Sequence, residues 1–276
     1  TISLPLIKYG IPLSVMGLLL KEGIDFDLIK TALIAFFAIG FLIILINYFS
    51  ITKAILPNYS LQLAGLIGNT SFLGIPIALA ILPTSTINFT IGFDLGTTLF
   101  AWIFGPYLLQ KNTNHNAVLN LKKLLNAILN SPASRGIVGV LIVYLFGLEN
   151  ILGDYLWIPA RVVIVLAIVV VGTRLGIITN SKTKFFNLNK DIKYSIILKL
   201  FILPLIIFIV SKILCFSLNE VSAMVLQAGT PSAVSTILMA EAYKKNQKIA
   251  ATILFTTTLI SIITIPILAS LMSFSQ

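Results

Sequence analysis

Apolar runs long enough to cross a bilayer recur along the whole chain: 4–20, 29–48, 60–82, 87–109, 135–148, 156–178, 194–215, 219–241 and 248–273. A helical span takes roughly 20 such residues. In lipid the backbone has no water to bond, so a run of this kind must satisfy its own N–H and C=O groups as a helix. A soluble fold is excluded by composition: 58% of the residues are hydrophobic, 10% are charged, and mean hydropathy is +1.03. A soluble domain carries about a quarter charged residues to cover its surface. The chain is therefore read as an all-α polytopic membrane protein with nine spans. The fifth run is short and extends back toward Leu129. Ahead of it, Leu121, Leu124, Leu125 and Ile128 share one helical side while Lys122, Lys123 and Asn126 share the other. That pattern predicts a helix lying in the headgroup plane.

The net charge of +10 invites a nucleic-acid reading, but its distribution opposes one. With nine spans, alternate loops fall on opposite faces. Fourteen basic residues then lie on one face, four (Lys21, Lys30, Arg161 and Lys212) on the other, and Lys199 inside a span. The bias marks the richer face as cytoplasmic. The expected location is the plasma membrane, or the cell inner membrane of a bacterium, with attraction to anionic lipid and no nucleic-acid partner. The lone Cys215 and lone His115 cannot seed a metal cluster, and no cofactor is expected. No signal peptide is evident and residue 1 is Thr rather than Met, so the chain reads as processed, trimmed or a fragment.

Two of the runs carry Gly-x-Pro near their middle: Gly74-Ile75-Pro76 and Gly229-Thr230-Pro231. Alone, these are ordinary kinks, because proline is tolerated in membrane helices. Their spacing adds more. Gly17 precedes Pro76 by 59 residues, and Gly172 precedes Pro231 by the same 59. The resulting offset of 155 residues pairs four runs with four others and leaves 135–148 without a partner. An offset of five spans inverts the second copy. The expectation is an inverted-repeat architecture with two broken crossing helices, nine spans here of a ten-span parent whose first span is missing. Residues 1–109 form the first repeat, 110–134 a cytoplasmic loop, and 135–276 the second repeat. Paired discontinuous helices in inverted repeats mark secondary transporters, with substrate near the midplane.

GNTSFLGIPIALAIL (68–82) and QAGTPSAVSTILMAEAY (227–243) resemble the two crossing segments of the auxin efflux carrier family. That family includes plant PIN carriers and bacterial permeases. YGIPLSVMGLLLKEGID resembles its second span. The resemblance implies ten spans, with spans one, two, six and seven as scaffold and the rest as a mobile transport domain working by an elevator-like motion. It also implies export of a small organic anion, proton-linked or uncoupled, commonly from a homodimer.

The expected site follows from the breaks. Half-helices starting near Pro76 and Pro231 would aim their positive N-terminal ends at the crossing, a seat for a carboxylate. Asn69, two turns before Pro76, offers an amide donor without fixed charge. The resemblance implies the same role, and an interhelical hydrogen bond is the alternative. Thr70, Gly74, Gln227, Gly229, Thr230 and Ser232 complete the candidate lining. Asp94 is the one acid well inside a span, which makes it the proton-coupling candidate; solvation near the outer interface, or a structural pairing, is the alternative. Lys199 is expected to snorkel to the cytoplasmic side. Two other readings stand beside the transporter: a sodium-coupled symporter of bile-acid-symporter architecture, and a transporter-derived membrane sensor. An enzyme is not expected, since paired acids, a phosphate loop and a nucleophile–base pair are missing from the sequence.

Overall fold

The computed structural model describes residues 9–110, 132–160, 162–163, 166 and 188–273. The headgroup-plane helix, His115, Gly172 and most of the second half of the 156–178 run lie outside them. Twelve helices are named here in chain order. They are α1 (Ile11–Glu22), α2 (Phe26–Tyr48), α3 (Ser50–Ile55), α4 (Tyr59–Leu66), α5 (Thr70–Ile81) and α6 (Ile87–Gln110). After them come α7 (Pro132–Leu145), α8 (149–160), α9 (Lys190–Ile213), α10 (Leu218–Ala228), α11 (Val234–Ala242) and α12 (Gln247–Ser273). Among the described residues the single strand-like pairing is one antiparallel bridge, Gly68 with Ser232. The protein is an all-α membrane protein. Among the described residues, four helices, in α2, α6, α9 and α12, are long and apolar enough to span.

Helix α2 shows what solvent the fold is built for. Leu28, Ala32, Ala35, Ile39, Leu42 and Ile46 are buried at helical spacing. On the opposite side Leu33, Phe37, Phe41 and Ile44 are half or more exposed, Ile44 by 67%. A stripe of large apolar side chains on the outer face is stable only against lipid tails, where no water is displaced or ordered. The helix starts where the sequence caps it. Asp25 accepts the N–H groups of Asp27 (2.9 Å) and Leu28 (3.3 Å). At the start of α10, Ser217 and Glu220 form a capping box, with the Ser217 N–H donating to Glu220 Oε2 at 2.7 Å.

Helix α6 lies along α2 at very short range. A Cβ at Gly92 would collide with the Leu28 carbonyl, and one at Gly96 with that of Ala32. Small residues four apart let the two backbones close up. The apolar interior of the described residues falls into three clusters. One core joins residues of α2, α4, α6, α9, α10 and α12, including Ile39, Leu63, Phe100, Leu200, Val225 and Ile253. Another gathers α1, α7 and α8 (Val15, Leu18, Leu19, Val140, Val143 and Ala160) together with Leu28 of α2, Ile75 of α5 and Ile87 and Ile91 of α6, and a small third one holds Leu73, Leu226 and Ile265. At one end of this second body, Lys21 pairs with Asp154 at 2.6 Å across exposed surface.

The runs 60–82 and 219–241 are each two helices rather than one, and the breaks fall at 67–69 and 229–233. The second matches the expectation at Gly229–Pro231. The first does not: the Gly74-Ile75-Pro76 segment lies inside the continuous helix α5, and the break comes some seven residues earlier. Proline explains the difference. It lacks an N–H and clashes with the carbonyl four residues back, so the preceding turn must widen or the helix must end. Here the turn widens. The π-helical turn Thr70–Gly74 precedes Pro76, and another, Leu198–Ile202, precedes Pro204. The 155-residue register that aligns Pro76 with Pro231 is therefore not the register in which the two breaks meet.

Candidate functional site

The two breaks cross, and each completes the other's backbone. Asn69 donates its N–H to the Pro231 carbonyl at 2.7 Å, and Ala233 donates to the Ile67 carbonyl at 3.0 Å. These two bonds flank the Gly68–Ser232 bridge. A third tie comes from α12, where Thr257 Oγ1 accepts the Ser232 N–H at 3.1 Å. Broken helix ends at membrane depth persist only where such partners exist.

Asn69 is the residue that starts α5. Its carbonyl accepts the N–H groups of Leu73 and Gly74, both at 3.1 Å. Its half-buried side chain makes no hydrogen bond to a described residue. Thr70 and Ser71 follow in the first turn, and both hydroxyls donate to Asp94 Oδ1, Ser71 at 2.6 Å. Asp94 on α6 is completely buried, which removes the solvated alternative. Its Oδ2 has no partner among the described residues. The carboxylate thus faces the positive start of α5, the stabilising arrangement for an anion at a helix N-terminus.

The other side mirrors this with opposite charge. Lys199, on the π-helical turn of α9, is 1% exposed and donates from Nζ to the Ala228 carbonyl at the C-terminal end of α10. A cation at that end complements the negative pole of the helix. The expectation that Lys199 snorkels is overturned. Its stem runs inward because it shares a face with the buried Ser195, Leu203, Ile207 and Ser211, each four residues or a multiple of four away. The spacing of Ser195, Lys199 and Ser211 was the signal in the sequence that could have placed it. Neither Asp94 nor Lys199 forms an ion pair with a described residue.

Gln227 and Thr230 close the crossing from α10. Thr230 Oγ1 donates to the Gln227 carbonyl at 2.7 Å. The Gln227 side chain is fully buried, and neither its Oε1 nor its Nε2 has a partner among the described residues. It presses on Gly74, where any Cβ would collide with Oε1. Gly229 ends α10 with its N–H on the Val225 carbonyl at 2.9 Å. Asn69, Thr70, Gly74, Asp94, Gln227, Gly229, Thr230, Pro231 and Ser232 therefore all meet at or against the crossing. Pro76 does not belong to the break. Ser71, Thr257 and Lys199 belong to the constellation although the sequence reading left them out.

The sequence model of a family described as "Membrane transport protein" matches residues 16–269. An uncharacterized transporter of Methanocaldococcus jannaschii is 23% identical over 209 residues, which cover 74% of this chain and 65% of that relative.

Proposed function

As the chain belongs to this membrane transport protein family, that of the auxin efflux carriers, we propose that it is a secondary transporter exporting a small organic anion across the plasma membrane. On this reading it has nine spans of a ten-span parent, arranged as inverted repeats in 1–109 and 135–276 on either side of a 110–134 loop, and it works as a homodimer. The carboxylate of the substrate binds at the crossing. Asn69 donates from its side-chain amide, and the start of α5 adds its positive pole. Thr70, Gln227, Thr230 and Ser232 line the remainder. Asp94, whose second oxygen has no partner among the described residues, carries the coupling proton. The body of α1, α7 and α8 acts as scaffold, and the crossing moves against it in an elevator-like step, sliding along the apolar contact that Leu28, Ile75, Ile87 and Ile91 make with that body.

The observation that carries the reading is the unpartnered amide of Asn69 beside two mutually bonded helix breaks. Its test is Asn69→Ala. Losing one hydrogen bond to a charged group costs about 1.5 to 3 kcal/mol. Carboxylate affinity should fall roughly tenfold to a hundredfold. A neutral amide analogue should bind nearly as before. Equal binding of both ligands by folded Asn69→Ala protein would remove the substrate from the crossing.

A further inference from the structure

Lys199 is a buried ammonium with more donors than acceptors. Nζ carries three N–H groups, and the Ala228 carbonyl takes one. No carboxylate of a described residue lies within ion-pair distance. A charge left this way in a protein interior is costly, and such groups are normally paired. The amine packs closely against Gly68 of the crossing. A Cβ on Gly68 would sit 3.0 Å from Lys199 Nζ and 2.5 Å from Thr230 Oγ1. The ammonium and the Thr230 hydroxyl thus both lie against the backbone of Gly68 at the crossing, one residue before Asn69.

We propose that Lys199 is the specificity-determining charge of this site, the group that selects a carboxylate over its neutral analogues by giving it the N–H donors that the protein leaves unused. The inference rests on the organic-anion reading above and adds to it a basic side chain at the crossing. Asn69 orients the carboxylate, and Lys199 supplies the charge-assisted bond that a neutral ligand cannot return with equal strength. The Ala228 carbonyl and the close backbone of Gly68 are what hold the ammonium in position.

The experiment uses the full chain in detergent and reads its thermal unfolding. The probes are acetate, benzoate, malate and indole-3-acetate at constant ionic strength, each compared with its amide. Lys199→Gln and Lys199→Met are compared with the parent. The parent should be stabilised by at least one carboxylate at a concentration tenfold or more below that needed for the amide. In both variants the affinity for that carboxylate should drop about tenfold to a hundredfold, to the level of the amide. A folded neutral variant that keeps the parent's preference would overturn the role of Lys199 and leave the organic-anion reading standing. A parent indifferent to every carboxylate would count against that reading and the inference together. If neither neutral variant yields folded protein, Lys199 is a structural cap on α10 and the proposal fails.

Discussion

Two buried glutamines show how differently one residue type is used in this chain. Gln62 accepts from Asn47 Nδ2 and donates to the Leu56 carbonyl, both at 2.8 Å, and so ties α4 to α2. Gln227 has neither bond. A polar group that a fold pays to bury without a partner is held for something other than the fold. Gln62→Leu should take away one of the two acceptors of Asn47 Nδ2, which keeps the Ile43 carbonyl, and the Gln62 donor to the Leu56 carbonyl, and should lower stability by about 1 to 3 kcal/mol. Gln227→Leu should leave stability near the parent's while impairing transport, and thermal melts paired with flux assays would separate the two. Asp94→Asn keeps the shape of the side chain and removes its charge. Transport should then lose its response to an imposed pH gradient while ligand binding persists, and unchanged gradient dependence would make Asp94 a structural anchor for Thr70 and Ser71. Most of these polar residues were legible in the sequence because they interrupt apolar runs. The sequence alone did not reveal their partners: Asp94 meets Thr70 and Ser71 only because α6 and the start of α5 pack side by side, 23 residues or more apart in the chain.

At the scale of the element, proline misleads unless the turn before it is considered. Gly-x-Pro occurs in both broken runs, yet it marks a break in one and a widened turn in the other. The helix α5 runs unbroken through Pro76 because the π-helical turn absorbs the clash, whereas Pro231 sits in the break between α10 and α11, where its carbonyl accepts the Asn69 N–H. Pro231→Ala should therefore impair transport, by relaxing the crossing, far more than Pro76→Ala does. Comparable defects in both variants would restore the symmetric reading of the two motifs. A Cβ at Gly68 offers a sharper probe of the same element. Gly68→Ala pushes on Thr230 Oγ1 and Lys199 Nζ, and overpacking of this kind costs about 1 to 3 kcal/mol. Its melting temperature should fall, whereas Gly23→Ala, with open space around its Cβ, should cost only the strain of a positive φ. The existence of the breaks was readable from sequence. The location of the first was not, because Ile67-Gly68-Asn69 has no proline and is held open by a bond to residue 231.

The whole molecule was legible where hydropathy and charge decide. The all-α membrane class follows from the apolar runs, and the exposed stripe on α2 repeats it in three dimensions. Which side chains join the apolar clusters was beyond reach of the sequence reading, since it depends on which helices touch. The sidedness assigned from the basic residues has its own test. Cysteines placed at Glu22 and Asp154 should react with an impermeant reagent from outside intact cells, in a Cys215→Ala background, while those at Lys53 and Lys248 should not. The Lys21–Asp154 pair puts the first two sites on one face, so opposite labelling of the two would contradict both the topology and the packing. The central claim, that this chain moves an organic anion through the crossing, is tested most directly by counterflow in proteoliposomes. Vesicles loaded with an unlabelled carboxylate should accumulate the labelled form above equilibrium, with accumulation falling at least tenfold in Asn69→Ala. Absence of counterflow for every carboxylate tried, or full counterflow in the variant, would contradict it.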